Sequence, residues 1–242
     1  MDHTARLPYQ ITQTCTDQGL TTYRLTVDSS QVDWLLDQAD ARLAHALKTD
    51  IPQARTQASR LLTDTELESY YTTIVLSRTA DALLTTKAFL FSPRLKALSP
   101  LELGNSFACQ VDIWEIPHQE DDPSEALEQA ALDLTIQEFD ETLRRQQKTR
   151  AQWRSDHGMN TKGMDAYLKG QAQERLAHDI CLEQTFQALG VSLSDQDRAD
   201  ALHAQGETRV QEAVGELTQT GKLWMLNQKA RWLVAQRALD KH

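Results

Sequence analysis

Disulfide frameworks, secretory leaders and membrane spans all require residues that this chain lacks. Its three cysteines, Cys15, Cys109 and Cys181, are odd in number and far apart, a pattern expected of reduced, apolar side chains and not of paired cysteines or a zinc site. No apolar run approaches the ~20 residues that cross a bilayer, and Met1 to Pro8 shows no apolar leader core. The expectation is a cytoplasmic protein with no membrane partner. A basic field is missing as well: 25 Lys and Arg stand against 35 Asp and Glu, a net charge of -10. That balance argues against DNA and other polyanions, whose binding needs a positive surface. With only nine glycines and six prolines, little interrupts the long stretches of Ala, Leu, Gln, Glu and Arg, which read as helix. A length of 242 residues suits about two domains.

In chain order, Tyr9, Ile11 and Cys15 alternate with polar residues, Asp17-Gln18-Gly19 offers a turn, and Tyr23, Leu25 and Val27 alternate again, which reads as a hairpin. Ser29 or Ser30 can cap a helix to about Leu47, with Val32, Leu35, Leu36, Ala39 and Leu43 on its apolar face. Lys48 to Leu62 has no clear period and contains Pro52, so it reads as a loop. Thr63-Asp64-Thr65-Glu66 has capping-box form and opens a second helix. Phe89 and Phe91 suggest a short strand, Pro93 to Pro100 a connector, and Phe107, Cys109, Val111 and Ile113 a further strand. The order is that of an α+β domain, an antiparallel sheet with two helices on one face. His118 to Asp122 is a polar linker, so the boundary falls between domains 1–118 and 119–242. Beyond it, Asp122 as N-cap with Pro123 at the first position starts a helix striped by Leu132, Ile136, Phe139 and Leu143. Gly190, Gly206 and Gly221 separate further helical pieces, an all-α second half.

Chemistry-bearing constellations are few. Glu174, His178, Asp179 and Glu183 have helical spacing but read as a solvated face and not as metal ligands. Asp156-His157 has no nucleophile partner, and no glycine-rich phosphate loop follows a strand. The expectation is therefore no metal, no cofactor and no enzymatic activity. Trp114, Trp153, Trp224, Trp232, Met159, Met164 and Met225 read mainly as core residues, although Met and Trp also suit adaptable apolar binding surfaces.

Gly163-Met164-Asp165-Ala166-Tyr167-Leu168 opens a helix that runs through Glu174, Arg175, Leu176, Ile180, Leu182 and Phe186 to Leu189-Gly190. There it meets Val191-Ser192-Leu193-Ser194-Asp195, a crossing with a new cap. This stretch resembles the helical arms of the trigger factor family, and the order of elements before residue 118 resembles that family's ribosome-binding domain. The prolyl-isomerase domain that separates the two in the family has no room here. In the loop read at 48–60 only Arg55 of the family's docking signature is kept. Ala54, Gln57 and Ala58 replace its Phe, Gly and Lys, so Lys48, Arg55 and Arg60 imply ribosome contact that is weak or absent. The resemblance implies an ATP-independent chaperone that binds unfolded or nascent polypeptides in a cradle. Met164, Tyr167, Leu168, Leu223, Trp224 and Leu226 would be its client-binding residues. The alternative is a dedicated adaptor, or a homodimer, using the same cradle for one folded partner. A broad uncovered apolar surface favours the first, and a small cleft with charged walls the second.

Overall fold

The computed structural model describes residues 9–119 and 121–241; the readings of Met1 to Pro8 and of Glu120 in the linker lie outside them. Strands β1 (Tyr9–Asp17) and β2 (Leu20–Val27) form the hairpin. Its two turn residues, Gln18 and Gly19, both have positive φ (50° and 89°), the geometry that matches the twist of the flanking strands. Thr21, Tyr23, Leu25 and Val27 of β2 point inward as the alternation requires. β1 differs: residues 10–17 are exposed throughout. A bulge between Gln13 and Cys15 sets Cys15 opposite Thr22, which takes the cysteine off the inward alternation.

Helix α1 (Ser29–Leu47) is capped by Asp28, one residue before the expected serines; its carboxylate accepts the Gln31 N–H at 2.9 Å and the Ser30 hydroxyl at 2.8 Å. The segment read as a loop is largely a helix, α2 (Ile51–Leu61). Pro52 sits in its first turn, where no intrahelical N–H bond is lost. Its buried stripe is only Ala54 and Ala58, too small a signal to read as periodicity. Helix α3 (Asp64–Leu84) starts on the expected Thr63/Glu66 capping box. The chain at Phe89 and Phe91 is not a strand. Phe89 and Leu90 are buried as irregular chain, and the Leu90 N–H bonds the Trp114 carbonyl at 3.0 Å. The strand lies instead in the expected connector, β3 (Arg94–Ala97), paired with β4 (Phe107–Trp114). The antiparallel sheet has the order β1-β2-β4-β3; α1 and α3 share the core on one face of it, and α2 packs on α1.

Helix α4 (Glu125–Arg145) is capped by Ser124 and not Asp122. The Ser124 hydroxyl accepts the Leu127 N–H and donates to the Gln18 carbonyl, tying the helix start to the hairpin turn. A short helix that the sequence reading missed, α5 (Arg150–Asp156), has a Thr149/Gln152 capping box. Helix α6 (Thr161–Leu189) has 29 residues, about 43 Å of continuous axis, and stops at Gly190 with φ 61°. Then follow α7 (Asp195–His203), α8 (Val210–Gln219) and α9 (Leu223–Leu239). The described residues form a helix-dominated structure with one small sheet. Its apolar cores cross the expected 118/119 division. Trp224 belongs to the sheet core, and Leu90, Trp114 and Ile116 pack with Leu127, Ala131, Ala172 and Leu176 of α4 and α6.

Candidate functional site

Helix α9 holds the two halves together, and its fastenings define the site. Gly221, just before it, has φ 66° and lies so close to α3 that a Cβ there would stand 2.5 Å from the Ser77 carbonyl carbon. Only glycine satisfies both the left-handed conformation and that approach. One turn on, Trp224 enters the sheet core against Phe89, ring centroids 5.5 Å apart. Asp81 of α3 sits beneath the first turn of α9. Burial pushes its carboxyl up to about 6 against the pull of the Trp224 and Leu223 N–H groups and of Arg78. The Gln228 amide donates to the Phe89 and Leu90 carbonyls at 2.9 and 3.0 Å, which satisfies irregular backbone that buries without a ladder.

Farther along, α9 is tied to α6, within the second half, by an ionic contact. Glu183 of α6 is fully buried and Arg231 of α9 is 8% exposed. The Arg231 Nε–H reaches both Glu183 oxygens at 3.2 Å, and the Trp232 indole N–H donates to one of them at 2.8 Å. Burial raises the Glu183 pKa against the attraction of Arg231, and Arg231 Nη2 is buried without a hydrogen bond. Asp179, one turn before Glu183, is also buried, and its pKa is raised by that burial against Arg175 and His178. The sequence reading placed Asp179 and Glu183 on a solvated face, and the structure corrects this. Both lie on the buried stripe Met164, Leu168, Ala172, Leu176, so charge outweighed spacing in that reading. Glu174 and His178 are exposed. No group of three or more His, Cys, Asp or Glu residues suited to a metal occurs among the described residues.

Beside this junction an open cleft of about 500 Å³ lies between the exit of β4 and the last turns of α6. Ile113, Ile116, Pro117, Ala88 and Ala188 give it apolar walls; Gln119, Gln184 and Gln187 add amides; Lys87 and Glu115 add charge and His118 an imidazole. Gln184 donates to the Pro117 carbonyl at 3.0 Å, which pins the linker to α6. Lys87 lies 5.4 Å from the Tyr23 ring centre. Leu189 and Val191, which follow Ala188 in the chain, are exposed at 41% and 49%. A second, smaller cleft of about 350 Å³ lies among α7, α8 and α9, with Met225 in its wall.

The residues assigned to client binding fare unevenly. Met164, Leu168, Trp224 and Leu226 are buried packing residues, and Leu223 is half-buried. Tyr167 is exposed at 41% but leans on Trp153, which also meets Phe139 edge-on at 5.1 Å and stacks with His157 at 4.1 Å. The ribosome-contact candidates sit on a helix and its approach, not a loop. Arg55 is bound through two nitrogens to Asp40, each at 2.8 Å, and lies over the Tyr71 ring, while Lys48 and Arg60 are exposed. The cleft itself was not anticipated, because its walls come from segments that lie far apart in the chain.

No protein-family model matches this chain, and no curated protein or solved structure matches it. The trigger-factor likeness rests on the residues quoted for it alone.

Proposed function

We propose that the protein is an ATP-independent polypeptide-binding chaperone of trigger-factor type without the isomerase domain, and that clients enter the cleft between β4 and α6. The composition of the cleft walls carries this reading. Side-chain amides hydrogen-bond the main chain of any sequence, and apolar residues beside them take side chains without demanding a particular shape. The exposed Leu189 and Val191 extend the apolar surface past Ala188. The burial of Met164, Leu168, Trp224 and Leu226 moves the client surface away from the inner faces of the arms.

A second reading, an adaptor for one partner, draws support from the cleft's modest volume and from Lys87, Glu115 and His118 in its walls. The two separate on breadth. A chaperone delays aggregation of several unrelated unfolded proteins at near-stoichiometric amounts, whereas an adaptor delays none or one. Ala188→Arg, at an exposed position, fills the cleft without disturbing a core. It abolishes the delay while leaving thermal unfolding unchanged. Undiminished suppression by this variant removes the cleft from the account.

A further inference from the structure

The sheet has a second face, turned away from α1–α3, with a charge of its own. Because Tyr23, Leu25 and Val27 of β2 and Cys109, Val111 and Ile113 of β4 are buried under the helices, the residues between them face the other way. On that side Gln110 is in register with Arg24 of β2 and with Lys96 of β3, and Asp112 with Thr22 and Arg94. Arg24, Arg94 and Lys96 are all exposed and have no acidic partner among the described residues. Asp112 stands among them in register with Arg94; it accepts the Thr22 hydroxyl at 2.8 Å and the Gln110 amide at 2.9 and 3.1 Å and forms no ion pair with the three cations. In a chain of net charge -10, three cations around the single carboxylate of Asp112 are a local reversal of sign.

We infer that this face docks an extended acidic polypeptide segment, added as a strand beside β3 with Asp or Glu at alternate positions. The inference is independent of what the cleft binds. β3 is an edge strand, bonded to β4 on one side only, and an edge offers main-chain groups to an incoming strand. Arg94 and Lys96 stand two residues apart, about 6.6 Å in a strand, which is the repeat of alternate side chains in an extended partner. The same cations repel a second copy of β3 or any basic segment, so the edge selects by sign. RNA fits less well. The aromatic residue on this face, Trp114, is packed into the second core and is not free to stack on bases.

Fluorescence anisotropy on the full chain tests this, with a labelled alternating Val-Glu peptide, the matching Val-Lys peptide and a single-stranded RNA oligonucleotide. The acidic peptide binds at low salt and weakens as salt rises. The double variant Arg94→Glu/Lys96→Glu weakens it about tenfold, the scale of two exposed ion pairs turned to repulsion. Arg24→Glu weakens it less. All three positions are exposed, and circular dichroism confirms that each variant is folded. Absence of acidic-peptide binding at low salt, equal affinity in the double variant, or tighter binding of RNA or of the Val-Lys peptide each overturns the inference.

Discussion

Replacing Arg231 with Met removes the positive half of a buried pair while keeping most of its volume. Glu183 is then left fully buried with the Trp232 N–H as its hydrogen-bond donor. Breaking a buried pair from one side costs about 3–5 kcal/mol, but here the cost depends on pH in a definite sense. Burial raises the folded-state pKa of Glu183 above its ordinary 4.5, so the folded protein holds that proton more tightly than the unfolded chain. A group of this kind contributes stability below its ordinary pKa and loses it as pH rises through the raised value. Without Arg231 the pKa rises further. Arg231→Met should therefore lose little on the acid side of the raised pKa, where the carboxyl is protonated, and the full ~3–5 kcal/mol on its alkaline side. The double variant Glu183→Met/Arg231→Met leaves no charge buried and returns to within about 1 kcal/mol of the parent, the residue being the unmet Trp232 N–H. Urea unfolding followed by tryptophan fluorescence on both sides of the raised pKa reads all three. A loss that is the same at every pH, or a double variant as unstable as the sum of the single ones, refutes the reasoning.

Gly221→Ala should cost about 2–4 kcal/mol, from a left-handed alanine and from overlap with the α3 backbone. Gly206→Ala, at φ 82° with nothing within 4 Å of the added Cβ, should cost only the conformational part, about 1 kcal/mol; equal losses in thermal unfolding would mean that the approach to Ser77 is not tight. Asp81, raised to about 6, makes stability fall as pH rises from about 4 to 6, and Asp81→Asn should flatten that part of the curve measured by denaturant titration. Cys15 and Cys181 are exposed, whereas Cys109 is buried with its thiol pushed up to about 12. A disulfide-exchange reagent on the native protein should thus modify two thiols quickly and the third only on unfolding.

Local chemistry was the legible part of the sequence. The Thr63/Glu66 box, a new cap after Gly190 and the stops at Gly190, Gly206 and Gly221 sit where the residues place them, because such caps and left-handed turns are decided within a few residues. Helix α2 escaped because a two-alanine stripe buries little. β3 escaped because Leu95 and Ala97 alternate over only four residues, and its pairing with β4 is a tertiary fact. Phe89 looked like a strand residue but is buried by Trp224, far along the chain. For the candidate site, the spacing of Asp179 and Glu183 held the information, since both continue the apolar stripe of α6. Arg231 likewise falls on the buried side of α9 with Trp224, Asn227 and Ala235. What spacing does not reveal is that two charged stripes meet, and the cleft, assembled from three distant segments, leaves no local trace.

Entry of polypeptide into the cleft between β4 and α6 can be read by site-specific photocrosslinking. A photoreactive side chain at Ala188 in the cleft wall, and another at the exposed Glu68 of α3 as reference, are each irradiated with an unfolded client present. Adducts are expected from position 188, competed away by a second, unrelated unfolded protein, and none from position 68. Equal labelling from both positions, or none from 188 while aggregation is still suppressed, contradicts entry into the cleft.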